Sequence, residues 1–248
     1  MTLYEKWSDA KLKSSGLPKA VLAYNSIRES IIKMDLEPGA ILSEKDICAE
    51  FDISRTPVRE AVLRLAQEGL INVIPGDGTF VSKISVRSVI EGQIVRSSLE
   101  YRMVRLAART YDTKFDKDFE LLMFLQNDAA QRGDYDDAFD VDNEFHKLIC
   151  AVAGFPNVWQ TIHNSIGQLD RVRYRAFPKS GYFDVMVKEH RAIFDAIKSH
   201  DEERAGDLIR THLDDIARML TLVINDNPSV VIQEDDIDIL NELWLPQE

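Results

Sequence analysis

Hydrophobic positions along this chain fall into two regimes. From residue 85 onward they recur almost wholly at helical spacing, whereas the first 84 residues mix helical stripes with two short β-branched runs. The stripe Val21, Tyr24, Ile27, Ile31 predicts a helix over Ala20–Met34, ended by the turn Leu36–Glu37–Pro38–Gly39. A second helix is predicted over Ser43–Phe51, with Ile47 and Phe51 inward and Ser43 and Asp46 approximating a capping box. A third starts at Ser54, a good N-cap, and takes Pro57 in its first turn. It buries Val58, Ala61, Val62 and Leu65 and stops at Gly69. Leu70–Ile74 and Thr79–Ser82 flank Pro75–Gly76–Asp77–Gly78, a hairpin pattern. A hairpin directly behind a helix-turn-helix is a wing.

Later stripes predict helices over about 86–110, 115–132, 135–153, 156–176, 182–199 and 201–224. The fold class expected is therefore mainly α: an N-terminal winged helix-turn-helix over 19–84, then an all-α bundle over 85–225. Residues 1–18 read as a loose arm. Residues 226–248 read as an acidic tail with seven acids and no Lys or Arg, in which Ile237, Leu240, Leu243 and Trp244 are spaced to dock as a short helix.

The third helix carries the first chemistry. Arg55 and Arg59 are four residues apart and share one face, with Thr56 beside them near the helix N-terminus. That end usually enters the major groove, where arginine donates two bonds to guanine or clamps a phosphate. Helix pair, Ser-Arg-Thr-Pro start and wing coincide in order. These residues resemble the GntR family of bacterial winged-helix regulators, over Ala20 to about Ser82 and closely at Ser54–Ala61. The resemblance implies that Arg55, Thr56 and Arg59 contact DNA. Lys45 stands where the family usually has arginine, which keeps the phosphate charge and loses the planar fork. The wing tip, usually basic, is Gly76–Asp77–Gly78 here, so contact is expected through glycine N–H groups. The candidate DNA-binding residues are Lys45, Ser54, Arg55, Thr56, Arg59 and Gly78.

A net charge of −12 at first opposes a nucleic-acid partner, but its distribution removes the conflict. Residues 1–84 hold 11 Lys/Arg against 12 Asp/Glu, and residues 85–248 hold 19 against 30. The acid belongs mainly to the half expected to face away from the duplex. Cys48 and Cys150 lie far apart in helical stretches and read as buried free thiols. No signal-peptide pattern opens the chain and no apolar run reaches membrane length, so a cytoplasmic, membrane-free protein is expected.

Histidine placement supplies the second chemistry. Asp142 and His146 are four apart on one helix. His190 lies about ten residues before the 200–201 turn and His212 about eleven after it, ~15–17 Å from the turn at 1.5 Å per residue. In an antiparallel hairpin they stand at equal height, beside apolar stripes that face the bundle interior. Three imidazoles and a carboxylate suit a divalent transition metal, Zn, Ni or Mn, with open positions left for a ligand.

Asp142–His146, Glu189–Ile193 and His212 also resemble the effector (FCD) domain of the FadR branch of GntR regulators. The resemblance implies a metal on Asp142, His146, His190 and His212 and a small organic acid reaching it. It further implies that Arg96 holds the effector carboxylate and that Asn157 touches the ligand. Fatty-acyl-binding members lack this metal site, which argues against an acyl-CoA. Arg171, Arg173 and Arg175 read as a solvated or interface face, His163 as approaching the cavity, and His200 as a turn residue. The function expected is an effector-controlled homodimer on a palindromic double-stranded operator. The competing reading is a metalloenzyme with an appended DNA-binding module. It would need Glu144 or Glu189 as a base, and their spacing turns both away from the metal.

Overall fold

The computed structural model describes residues 18–179 and 182–232. Three helices open it: α1 (Lys19–Ile32), α2 (Glu44–Glu50) and α3 (Arg55–Gln67). Ser43 caps α2 by accepting from Asp46 N. Ser54 occupies the N-cap of α3, but its hydroxyl makes no capping bond, a departure from the expectation. Asp52, in the turn between α2 and α3, has φ 48°, a left-handed conformation that short Asp side chains tolerate. Val58, Ala61, Val62 and Leu65 are all buried against α1, as their spacing requires. The wing follows: β1 (Ile71–Ile74) pairs antiparallel with β2 (Gly78–Val81), in register Ile71 to Val81 and Ile74 to Gly78.

The linker strand β3 (Ile84–Ser85) leads into α4 (Val86–Thr110), the central rod of the bundle. Around it stand α5 (Asp116–Arg132), α6 (Tyr135–Val152), α7 (Pro156–Ser165), α8 (Gly167–Ala176), α9 (Tyr182–Lys198), α10 (Glu202–Leu213) and α11 (Ile216–Asp226). Gly133, at φ 65°, closes α5 in the left-handed conformation that glycine adopts without a Cβ penalty.

Two expected helices are each broken in two. The stretch 156–176 breaks at Ile166, whose φ and ψ are −105° and 12°. Gly92 of α4 passes there so closely that a Cβ on it would sit 3.0 Å from Ser165 O. The stretch 201–224 breaks at Asp214 and Asp215, whose ψ values are 1° and 9°. Gln93 Nε2 meets one carbonyl freed by this break, donating to Leu213 O at 2.5 Å.

The acidic tail expected from 226 onward begins differently. Asp226 still belongs to α11, and Val231–Ile232 form β4, which pairs parallel with β3. The arm at 1–17 and the helix expected around Ile237–Trp244 lie outside the described residues. Among the described residues no helix is long and apolar enough to cross a membrane.

Helix α8 joins the two halves. Gln168 Nε2 donates to Gly69 O at 2.6 Å, and Arg171 Nη1 donates to Ser82 O at 2.9 Å. Arg171 is fully buried and Arg173 nearly so, which corrects the solvated alternative, while Arg171 at the contact with the first domain agrees with the interface one. Only Arg175 of the three is partly exposed, on Asp226 at 3.0 Å.

Candidate metal centre and DNA-reading face

Four side chains from three helices converge in the bundle. Helix α6 supplies Asp142 and His146 from successive turns, α9 supplies His190, and α10 supplies His212. All four are buried, and one ligand atom from each lies within 4.8 Å of the others. His190 Nε2 stands 3.1 Å from His212 Nε2, which stands 3.4 Å from His146 Nε2. Asp142 Oδ1 is 3.6 Å from His190 Nε2, and its Oδ2 is 3.8 Å from His146 Nε2. Three imidazole edges in contact leave at least one lone pair without a proton to meet, an arrangement a cation satisfies.

Each histidine's other nitrogen has its own neighbour. His146 Nδ1 lies 2.5 Å from Glu100 Oε2, and His212 Nδ1 lies 2.7 Å from Glu189 Oε2. His190 Nδ1 lies 2.7 Å from Gln126 Nε2, while Gln126 Oε1 is buried with no partner among the described residues. A histidine ligating through Nε2 carries its proton on Nδ1 and donates it. A half-turn of the Gln126 amide supplies that acceptor and removes the orphaned oxygen. The donors and their outer partners therefore fit a divalent cation.

Electrostatics prepare the same state. Burial holds His190 and His146 below the usual imidazole range, keeping them neutral donors. Burial opposes ionisation of Asp142, but Arg173 and the surrounding cationic groups outweigh it and hold the carboxyl below its usual value. Glu100 is likewise buried, and Arg96 and His146 outweigh that cost and keep it ionised.

A cavity of about 20 Å³ abuts the cluster, lined in part by Gln93, Arg96, Asp142, Arg173, His212 and Met219. Arg96 Nε donates to Glu100 Oε1 at 2.7 Å, and this pair is buried rather than on the surface. Arg96 Nη2 is buried without a partner among the described residues. Asn157 is exposed at the start of α7 and is not among the lining residues. His163 lines a different space, the cleft between α1 and α6–α7, so the expectation that it nears the cavity beside the cluster is corrected. His200 is in its turn, at φ 59°, with Nδ1 2.8 Å from Ala108 O.

Sequence reasoning missed the roles of Glu100, Gln126, Glu189 and Arg173. Glu189, expected to point away, does lie outside the four-residue cluster, but it holds His212. A signal existed for Glu100 and Gln126. Both are polar residues at buried positions of helical stripes, Glu100 with Arg96 and Met103, Gln126 with Met123 and Ala129.

On the first domain, Lys45, Ser54, Arg55, Thr56 and Arg59 are exposed along α2 and the start of α3. Arg59 Nε lies 3.5 Å from Glu44 Oε2, an exposed pair that a phosphate can displace. Gly78 opens β2 at φ 143° and is half-buried.

Residues 20–81 match the gntR family of bacterial regulatory proteins, and residues 93–215 match the FCD domain. The chain is 32% identical to the HTH-type transcriptional repressor RspR of Escherichia coli K12 over 204 residues, 82% of this chain and 90% of that protein. It is 34% identical to an HTH-type regulator of Streptomyces ambofaciens, over 79% of this chain and 84% of that one. Among solved structures it resembles Escherichia coli McbR/YncC, with a TM-score of 0.73 at 20% identity over 84% of this chain and 99% of that one. A GntR regulator from Rhodococcus sp. RHA1 follows at 0.68 and 25%, over 82% of this chain and 98% of that one. A DNA-reading winged helix and a bundle with a buried Asp/His₃ cluster, matched in that order to both domains, place this chain in the GntR family of DNA-binding transcription regulators.

Proposed function

We propose that this regulator is controlled by a small organic acid bound at a divalent metal in the helical domain. One observation carries the reading: a buried arginine with an unpartnered Nη2, Arg96, lines the same cavity as the metal-ligating Asp142 and His212. An anion there meets a guanidinium edge beside the ion, a strong pairing in a site sheltered from water. Zn, Ni or Mn suits a donor set of three imidazoles and a carboxylate. When bound, the metal supplies a Lewis-acidic anchor for the carboxylate. Arg96 and Arg173 orient that group, and Gln93 lines its approach. Asn157, exposed and outside the lining of this cavity, is left out of this reading.

The DNA partner is read by Arg55, Thr56 and Arg59, with Lys45, Ser54 and the Gly78 backbone on phosphates. As a homodimer in the cytoplasm the chain would present two α3 helices to a palindromic operator. Leu121, Phe124 and Leu125 of α5 are exposed and offer an apolar face for the second copy. The enzyme reading is set aside, because the relatives are regulators. Glu144 is also engaged with Lys147 at 2.8 Å.

Elemental analysis of wild type, His190→Ala and His212→Ala tests the site. About one metal per chain, lost in both variants, is expected. A screen of small mono- and dicarboxylates against DNA release follows, with the duplex that wild type selects from a random pool. Wild type that neither carries nor takes up metal defeats the effector site. Sequence-specific binding retained by Arg59→Ala defeats the DNA-reading assignment.

A further inference from the structure

A line of buried charges runs from the metal cluster to the recognition helix. Asp142 Oδ2 accepts from Arg173 Nη2. Arg173 Nη1 donates to Asp170 Oδ1 at 2.7 Å. Asp170 Oδ2 lies 3.5 Å from Arg28 Nη2, across the boundary between the domains. Arg28 Nε donates to Glu68 Oε2 at 3.0 Å. Glu68 is the C-cap of α3, and its other oxygen accepts from Tyr24 Oη. The signs alternate at every link, and the five charged side chains are each no more than 7% exposed.

A structural role alone explains weakly why five charges are sunk here. Buried ion pairs rarely stabilise more than apolar packing does, whereas removing one partner strands the other. Such a row is sensitive instead: with little water to screen it, a change at one end alters the best partner of each next group. Arg173 is the pivot. It lines the effector cavity, yet its Nη1 also holds Asp170 and Asn143, the latter at 3.3 Å. A carboxylate in the cavity competes with Asp170 for it. Release of Asp170 leaves that group to Arg28 alone and loosens the grip of Arg28 on Glu68. The end of α3 is held to the bundle beside this link, by Arg64 Nη2 on Asn164 Oδ1 at 3.2 Å and Arg28 Nη2 on His163 O at 2.8 Å.

We propose that Asp142–Arg173–Asp170–Arg28–Glu68 is the route by which the state of the effector site sets the pose of α3 against the bundle. Arg173, Asp170 and Arg28 are positioning residues on it. The inference deepens the effector reading above, yet its test does not need metal or acid to bind.

The test is a double-mutant cycle of Asp142→Asn and Glu68→Gln in the full, EDTA-treated chain. Affinity for the selected duplex and the urea midpoint are both measured, and zinc uptake by wild type is assayed separately. Independent sites combine to within about twofold. The route predicts that the pair departs at least threefold from the product of the single effects. In an Asp170→Asn background the departure falls to within twofold. Should that background fail to fold, Arg28→Lys replaces it; the fork spanning Glu68 and Asp170 is lost while the charge stays. Multiplicative effects in the native background, or coupling that survives in whichever of these two backgrounds folds, overturn the route. A wild type that takes up no zinc counts against the metal reading alone, because the cycle is run on metal-free protein throughout.

Discussion

Glu100 Oε2 stands 2.5 Å from Nδ1 of His146, on the side of the imidazole away from the Asp142–His190–His212 cluster, so this carboxylate backs a candidate ligand and is not itself one of the cluster. The same side chain takes Arg96 Nε at 2.7 Å and thereby couples the imidazole to the cavity wall. Replacing it by glutamine keeps the shape and removes the charge. Partners of this kind are worth about 10–100-fold in metal affinity. Glu100→Gln is therefore expected to weaken zinc binding by that factor in a chelator competition. Affinity equal to wild type would show that Glu100 serves Arg96 only.

Exposure of Lys45 on α2, beside α3, predicts a phosphate contact with no base preference. Lys45→Ala is expected to weaken every duplex alike and to lower the slope of log affinity against log salt by about one. Arg59→Ala should instead weaken selected DNA more than random DNA. If Lys45→Ala changed the preferred sequence, the lysine would be reading bases.

Most of the fold is legible in the sequence because stripes of apolar residues at helical spacing need only local geometry to be read. The two breaks are not. Asp214–Asp215 carry neither glycine nor proline, and at Ile166 the adjacent Gly167 is a weak signal beside the close approach of Gly92 from α4, a tertiary contact. The convergence of Asp142, His146, His190 and His212 in one buried cluster is legible for the same reason as the helices. Two lie one turn apart, and two are equidistant from one turn. Glu189 escapes such reading because direction along α9 separates it from His190 but not from His212 on α10. Arg173 escapes it because three arginines at alternate positions show no difference in sequence, while in the fold Arg171 is taken by Ser82 O of the first domain and Arg173 by Asp142 and Asp170 inside the bundle.

The two cysteines differ more than their helical stretches suggest. Cys150 is buried, and burial, reinforced by nearby Glu100, pushes its thiol up to about 12. Cys48 on α2 is only half-buried. Since the thiolate is the nucleophile, one equivalent of thiol is expected to react with Ellman's reagent in native protein and two in denaturant. Two fast equivalents in the native state would mean that the bundle around α6 opens readily.

His163 gives the domain junction a pH dependence of predictable sign. Burial lowers its pKa to about 4, and Arg28, Arg64 and Lys147 add to the effect while Asp170 opposes it. In the unfolded chain the imidazole titrates near its ordinary value of 6.5. Between those values the unfolded state binds the extra proton, so the stability His163 contributes is complete above about pH 6.5 and lost as pH falls towards 4. Urea midpoints measured from pH 7 to pH 4 should fall more steeply for wild type than for His163→Gln, which carries no titrating group. The difference should amount to about 1–3 kcal/mol across the window. Parallel curves would place a proton on His163 in the folded state, and the Arg28 side of the junction would then need a counter-charge beyond Asp170 and Glu68.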